Sequence, residues 1–304
     1  LADCLNRSGK RDEALEMFLR VISVGNNQFM EQSLLGAASI TYGKGDYRGA
    51  FPLYERLGRE ASSPENRMYG YLGMMRSAGA MEDDERVISS AEMVLGSDKL
   101  TEDLAREATF LTAKANQRLG NNDDALDDYR RVAQEVTTAY GAESKYRVSE
   151  LLWLSGDVNG AEAEANQFVD MSSPHAYWTG KTFLLLSDIA VKKGDTFQAK
   201  ATLQSLIDYY TVTNDGIIDE ARAKLAAATS ELQGGTAAAN GYSGYEHQDE
   251  KENEKISIYY CCSPAALTGG YSPDRRGDHK EKRYSLQSVQ AYTEGSKQED
   301  PASA

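Results

Sequence analysis

The chain has few of the residue types that build disulfide frameworks and metal centres. Its 304 residues include only three cysteines and three histidines, and these six are scattered along the sequence. A disulfide framework needs paired cysteines, and a structural zinc site needs about four such ligands close together. The longest mainly apolar stretch, residues 183–191, includes Ser187 and Asp188 and is shorter than the ~18 residues that a membrane span requires. We therefore expect no disulfide framework, no metal, no cofactor and no membrane span.

Positive charge is also scarce. The sequence has 33 lysines and arginines against 47 aspartates and glutamates, which gives a net charge of −14. A chain with this charge is repelled by phosphate backbones and by anionic lipid surfaces. The composition therefore argues against nucleic acid as a partner.

Proline is rare over most of the chain. Only three of the six prolines precede residue 234, and alanine, leucine, glutamate and arginine are frequent there, which favours helices. From Gly234 onward the sequence is polar and rich in glycine and serine, without a hydrophobic period, and such a segment buries too little apolar surface to fold. We predict a helical domain over residues 1–233 and a disordered low-complexity tail over residues 234–304. Within this tail, residues 256–262 alternate like a strand that has no partner.

A repeat is visible in the helical part. Six segments share a pattern of three positions. The first is a glycine, the second lies five residues later and is a small residue in five of the six segments, and the third lies four residues further on and is mostly apolar or aromatic. The six sets are Gly9/Ala14/Phe18, Gly45/Ala50/Tyr54, Gly79/Asp84/Ile88, Gly120/Ala125/Tyr129, Gly156/Ala161/Ala165 and Gly194/Ala199/Leu203. The glycines are spaced by 36, 34, 41, 36 and 38 residues, and a period of this length is typical of stacked structural repeats.

The pattern predicts that each repeat is a helical hairpin. The glycine takes a positive φ and ends the first helix, here called helix A, while small side chains let the second helix, helix B, pack closely against it. Asp46, Asn121, Asp157 and Asp195 stand where they can cap a helix B. One hairpin cannot bury both of its faces, so successive hairpins must stack into a solenoid.

The segments resemble tetratricopeptide (TPR) repeats, most clearly at residues 42–54 and 154–161. The resemblance extends over about residues 1–210 and implies an all-α solenoid of about six hairpins. Three features depart from the family pattern: Asp84 replaces a small residue, the 41-residue gap implies longer helices or an insertion, and Pro52 should bend or shorten its helix B.

The two ends of the array differ. Residues 217–232 read as an amphipathic capping helix that begins after Asp215-Gly216. The sequence starts partway along a helix A, so we expect the array to be N-terminally incomplete. Residues 175–210 are similar to TPR proteins of the bacterial cell envelope, which implies a periplasmic or envelope location, with the cytoplasm as the alternative.

The resemblance also implies a binding surface. In this family a set of helix A positions faces a groove that holds partner segments, and here these positions combine large aromatic with long polar side chains. They are Tyr42, Tyr69, Arg76, Phe110, Lys114, Gln117, Tyr146, Glu150 and Trp153. The alternative for the aromatic members is that they pack on the neighbouring repeat.

Catalytic residues are not evident. The carboxylate clusters at residues 82–85 and 123–128 begin predicted second helices, where negative charge favours the helix dipole. We therefore expect a non-catalytic scaffold or adaptor that binds a protein or peptide and acts in bacterial envelope assembly. The alternatives are a spacer or self-associating segment of a longer array, and, more remotely, an all-helical hydrolase that uses two carboxylates.

The boundary between domain and tail can be tested by truncation. Deleting residues 234–304 should leave the helical circular dichroism and the melting temperature essentially unchanged, because the predicted core ends with the capping helix. A large loss of helical signal in the truncated chain would instead show that the tail is part of the folded core.

Overall fold

The computed structural model describes residues 1–25 and 27–235, and within them it contains thirteen α-helices and no β-strand. The helices are α1 (Ala2–Arg7), α2 (Arg11–Ser23), α3 (Met30–Gly43), α4 (Tyr47–Glu60), α5 (Pro64–Ala80), α6 (Asp84–Leu95), α7 (Glu102–Leu119), α8 (Asn122–Val132), α9 (Ala139–Leu154), α10 (Val158–Asp170), α11 (Ala176–Lys192), α12 (Thr196–Tyr209) and α13 (Ile217–Gly235). No helix in this described part is both long enough and apolar enough to cross a membrane.

The first twelve helices form six hairpins and α13 follows them. Odd-numbered helices from α1 to α11 are the helices A, and even-numbered ones are the helices B. Each helix B packs against helix A of its own hairpin and against the next odd-numbered helix along the chain. Successive helices A also contact one another directly at α3 and α5, α7 and α9, and α9 and α11. The predicted all-α solenoid of six hairpins is confirmed.

Five of the six hairpin turns use the predicted glycine. Gly9, Gly45, Gly120, Gly156 and Gly194 all have a positive φ, between +80° and +89°. A residue with a side chain is strained in this left-handed conformation, so glycine is favoured there. The glycine pattern in the sequence therefore marks these five turns correctly.

The third turn differs from the prediction. Gly79 lies inside α5, and the residue with positive φ is Glu82, at +55°. With Glu82 as the turn residue, the spacings become 36, 37, 38, 36 and 38, so the 41-residue gap disappears. The expected insertion was wrong because the search followed glycine, and this turn uses another residue.

The same shift explains Asp84. The position five residues after the turn is Val87, which is buried like the alanines at this position in the other five hairpins. Asp84 is instead the first residue of α6, and its carboxylate accepts a hydrogen bond of 2.9 Å from Nε of Arg118. Asp84 therefore does not replace a small residue between the two helices of its hairpin.

Side-chain caps begin most of the second helices as predicted. Asp46, Asp157 and Asp195 each accept a hydrogen bond of 2.8–2.9 Å from the backbone N–H three residues further on. Asn121 precedes α8 at the same position, but its side chain makes no capping hydrogen bond. Asp83 supplies the equivalent cap in the third hairpin, which agrees with the corrected turn.

Helix α4 runs through Pro52 without interruption. It has 14 residues, the same length as α12, so the predicted shortening is wrong. Pro52 is the sixth residue of α4 and is exposed, so its ring removes only the backbone hydrogen bond to the first turn and disturbs no buried packing.

The second and third hairpins approach each other most closely where side chains are absent. A Cβ atom built on Gly70 would lie 2.4 Å from the backbone nitrogen of Gly58, and one built on Gly73 would lie 2.2 Å from the ring of Tyr54. Both distances are shorter than any real contact, so these glycines in α5 let it lie directly on α4.

The last helix covers the sixth hairpin. Asp215 accepts a hydrogen bond of 3.2 Å from the Ile217 N–H, and the buried Ile217 and Ala221 pack against α11 and α12. α13 continues to Gly235, three residues beyond the predicted end. The predicted tail lies outside the described residues from position 236 onward.

The corrected turn predicts opposite effects for two glycine-to-alanine substitutions. Gly79→Ala should stabilise the chain by about 0.4–1 kcal/mol, because Gly79 is helical and its new Cβ would meet only Val87, at 4.0 Å. Gly120→Ala should destabilise it by about 1–2 kcal/mol, because φ there is +83°. Urea unfolding measures both, and equal destabilisation by the two changes would contradict the corrected turn.

Candidate functional site

The solvent-facing side of the layer formed by α3, α5, α7, α9 and α11, here called the helix-A face, carries ion pairs that join successive repeats. Arg76 of α5 donates two hydrogen bonds of 2.7 Å to the carboxylate of Glu107 of α7. Lys114 of α7 lies 3.7 Å from Glu143 of α9. Each pair links a residue late in one helix A to a residue early in the next, so charges on this face are held in a regular arrangement.

Aromatic rings stack between α7 and α9 and between α9 and α11. The ring centroids of Phe110 and Tyr140 are 4.7 Å apart, and those of Tyr146 and Trp178 are 5.5 Å apart, both at an interplanar angle of 31°. In each pair the second ring belongs to the first turn of the following helix A. Such contacts contribute about 0.5–1.5 kcal/mol beyond the area they bury.

Cations lie over these rings. Nζ of Lys114 is 5.4 Å from the centroid of Phe110, and the guanidinium of Arg147 is 5.6–5.7 Å from the rings of both Tyr146 and Trp178. Arg147 also donates a hydrogen bond of 2.6 Å to Glu150. The rings and the carboxylate together fix the position of this cation.

Two of the predicted groove residues are buried. Phe110 and Tyr146 are 3% and 5% exposed and belong to one core cluster with Tyr129. The Tyr146 hydroxyl donates a hydrogen bond of 2.9 Å to Glu150, and burial raises the pKa of this phenol above its usual value. These two rings therefore pack between repeats and present little surface to a partner.

Other predicted residues are partly exposed. Tyr42 lies between the rings of Tyr47 and Tyr54, with centroids at 5.0 and 6.4 Å, and burial raises its pKa. Gln117 accepts a hydrogen bond of 2.9 Å from the Tyr129 hydroxyl. The side chain of Arg76 keeps 45% of its surface exposed beside Glu107. Their side chains remain accessible beside the stacked rings.

Tyr69 is exposed over 51% of its surface. The corrected third turn moves this residue into the position that Glu107 and Glu143 occupy in the next two repeats. The sequence pattern treated Tyr69 as equivalent to Phe110 and Tyr146, and the corrected turn shows that it is not. Tyr69 lies on the same side of the layer as the carboxylates of the ion pairs.

Trp153 borders an open apolar pocket of about 390 Å³ at the C-terminal end of this face. Helices α9, α11, α12 and α13 contribute to it, and Asp188 and Lys224 form an ion pair of 2.7 Å at its edge. The lining residues are Trp153, Ser187, Asp188, Val191, Lys192, Leu203, Lys224, Ala227 and Ala228. Trp153 is the predicted site residue that this pocket contains.

Sequence reasoning missed several residues of this face. Tyr140 and Trp178 both stand sixteen residues before a turn glycine, at Gly156 and Gly194, so a search of the early part of helix A would have found them. Tyr177, beside Trp178, is 41% exposed, with ring centroids 4.9 Å apart. The exposed aromatic surface therefore begins nearer the start of helix A than predicted.

Among residues 1–25 and 27–235, no group of three or more histidine, cysteine, aspartate or glutamate side chains is arranged to hold a metal ion. The sequence expectation that the chain uses no cofactor stays a prediction.

The division into core and surface rings can be tested by truncation to alanine. Phe110→Ala and Tyr146→Ala should each lower the free energy of unfolding by about 3–5 kcal/mol, because each removes a buried ring. Tyr69→Ala should change it by less than about 0.5 kcal/mol, because half of that ring is in water. Urea unfolding of the three variants measures this, and a large loss for Tyr69→Ala would place its ring in the core.

Comparison with known proteins supports the architecture. The family model described as "Tetratricopeptide repeat" matches residues 177–211, which cover most of α11 and α12. No curated protein matches the sequence. The crystal structure of a tetratricopeptide repeat protein from Parabacteroides merdae ATCC 43184 is similar with a TM-score of 0.51 and 14% identity, over 86% of this chain and 95% of that one.

Two further solved structures are more distant. BtubC from P. vanneervenii has a TM-score of 0.43 and 16% identity, over 81% of this chain and 96% of that one. The TPR2AB domain of yeast Sti1, solved with pHSP90, has a TM-score of 0.31 and 14% identity, over 86% and 95%. Residues 177–211 therefore match the tetratricopeptide repeat model, and the chain as a whole shares the fold of the Parabacteroides protein.

Proposed function

We propose that the chain is a non-catalytic adaptor that binds an apolar or aromatic segment of a partner protein along the helix-A face of the third to sixth repeats. The solenoid is the fold of protein–protein interaction scaffolds, and it offers a long surface built from successive, nearly equivalent helices. Aromatic and charged residues lie together on the helix-A face, and for this reason we place the binding site there.

The exposed tyrosines of this face carry the proposal. Tyr69, Tyr140 and Tyr177 are exposed over 51%, 36% and 41% of their surfaces. Tyrosine is enriched in protein interfaces because its ring supplies a large contact area, while its hydroxyl can still hydrogen bond. Tyr140 and Tyr177 are each held by a neighbouring ring, so binding would restrict little additional motion.

The ion pairs prepare this face for a partner. Arg76 and Arg147 are already held by Glu107 and Glu150, so a bound segment does not have to desolvate an isolated charge. Charges arranged in this way mainly set orientation and partner choice, whereas the rings supply the affinity. Trp153 then offers an apolar anchor at the C-terminal end of the face.

The same contacts support the non-catalytic part of the proposal. The carboxylates of Glu107, Glu143 and Glu150 each form an ion pair with an arginine or lysine of this face, so each already has a structural partner. A spacer without a ligand remains the competing function, and binding experiments distinguish the two.

The cellular location is a separate proposal. The similarity of residues 175–210 to cell-envelope TPR proteins supports a role in envelope assembly in the periplasm or at the envelope. Fractionation of the source cells, with antibody detection of this chain, tests it. Recovery only with the cytoplasmic fraction would contradict the envelope location without affecting the binding proposal.

Binding can be tested with peptides selected on the wild-type chain from a random display library. Tyr140→Ala and Tyr177→Ala should each weaken the selected peptides by about 2 kcal/mol or more, which is over tenfold in Kd, because truncating an interface aromatic removes its contact area. Calorimetric titration measures the affinity, and thermal unfolding of each variant shows whether its fold is retained.

Tyr209→Ala is the matched control, because Tyr209 is 45% exposed but ends the helix B α12. Peptides that bind all three variants as tightly as wild type would exclude the helix-A face. Failure of the library to yield any specific peptide would favour the spacer.

A further inference from the structure

An open groove lies between two of the helices B, and we call it the α4–α6 groove. Residues of α4 and α6 form its walls, and the buried Met74 of α5 lies beneath them. Its volume is about 650 Å³, which is in the range of sites that bind other molecules. Phe51 on one wall is half-buried and Met93 on the other is 43% exposed. Covering this apolar surface would remove it from water, which is favourable.

Two unpaired charges of opposite sign stand on the α4 wall. Arg48 and Glu55 line the groove, and neither forms an ion pair with another residue of the described part of the chain. They are two helical turns apart, so their Cα atoms are separated by about 10 Å. Arg86 on the α6 wall is already paired with Asp83, at 3.2 Å, and lies 5.0 Å from the centre of the Phe51 ring. The groove therefore presents one unpaired cation and one unpaired anion, with apolar surface between them.

Pro52 leaves a backbone acceptor beside the same wall. Because proline has no N–H, Pro52 cannot donate the helical hydrogen bond to the carbonyl oxygen of Arg48, four residues earlier. Pro52 is exposed and lines the groove, so this oxygen lies close to it. A helical ligand uses its own N–H groups internally, whereas an extended ligand keeps N–H groups free to donate. The acceptor therefore favours an extended ligand.

The spacing of the charges also suits an extended segment. In such a segment every second side chain points to the same side, with about 7 Å between neighbours on that side. Three successive side chains on one side span about 13 Å, and the long side chains of Arg48 and Glu55 can reach both ends of that span. The middle side chain would then lie against Phe51 and Met93.

We propose that the α4–α6 groove binds an extended segment of a partner protein in which an acidic, an apolar and a basic residue occupy alternate positions. The carboxylate contacts Arg48, the apolar side chain covers Phe51 and Met93, and the cation contacts Glu55. A backbone N–H of the segment donates to the carbonyl oxygen of Arg48. The groove shares no residue with the binding site proposed on the helix-A face, so either site can fail without the other.

The test uses a display library of peptides with this acidic, apolar and basic pattern at alternate positions and random residues elsewhere. Peptides selected on the wild-type chain should bind the Arg48→Glu variant at least about tenfold more weakly at low salt, because two carboxylates would then face each other. Replacing the acidic residue of a peptide by lysine should restore its binding to Arg48→Glu. Fluorescence anisotropy of the labelled peptides measures these affinities, and circular dichroism checks that each variant is folded.

Two further variants separate this groove from other surfaces. Arg59→Glu is the matched control, because Arg59 is an arginine of α4 that does not line the groove and whose side chain is 66% exposed. It should leave the affinity unchanged, and so should Tyr140→Ala/Tyr177→Ala, which alters only the helix-A face. Peptides that lose affinity for this double variant but not for Arg48→Glu would bind the helix-A face and would overturn the groove proposal alone.

Three other results would also overturn it. A library that yields no binder, or binders that Arg48→Glu and Arg59→Glu weaken equally, would show that the groove makes no specific contact with such a segment. Failure of the lysine peptide to recover binding to Arg48→Glu would exclude the contact between Arg48 and the carboxylate. A wild-type chain that sediments as a dimer, beside a monomeric Arg48→Glu variant, would place a second copy of the chain in the groove instead.

Discussion

The array depends on close approach between helices at positions with little or no side chain. Ala125 and Ala161 are fully buried where helix B meets helix A, and Gly70 and Gly73 let α5 lie directly on α4. A tightly packed interior tolerates few added atoms, so these positions fix the distance between helices. The larger side chains then fill the remaining space between the helices, and the side chains that stay in contact with solvent on the helices A form the helix-A face.

Much of the fold could be predicted from the sequence because each hairpin encodes its own turn. Glycines at a positive φ mark five of the six turns, and an aspartate that caps helix B follows three of these glycines. The third turn was misplaced because Glu82 takes the left-handed conformation there, and a non-glycine residue in that conformation has no sequence signature. Asp83, which caps α6, was the available clue to the correct position.

The surface was harder to predict than the fold. A helical pattern shows which residues share a side of a helix, but it does not show how much of each side chain is buried by the neighbouring repeat. Phe110 and Tyr146 are covered by rings from the next repeat, at Tyr140 and Trp178, whereas Tyr69 is not covered. Burial at a repeat boundary depends on two helices about 30 residues apart, and that relation is absent from any single motif.

The same stacks connect stability with recognition. Tyr140 is held against the buried Phe110, and Trp178 is held against the buried Tyr146, so each pair joins one buried ring to one that is only partly buried. Removing the inner ring would destabilise the repeat boundary and also release the outer ring, whereas removing the outer ring would change mainly the surface. If the helix-A face binds a partner as proposed, the outer rings are the positions at which substitutions would alter binding without loss of the fold, because the inner rings are constrained by packing.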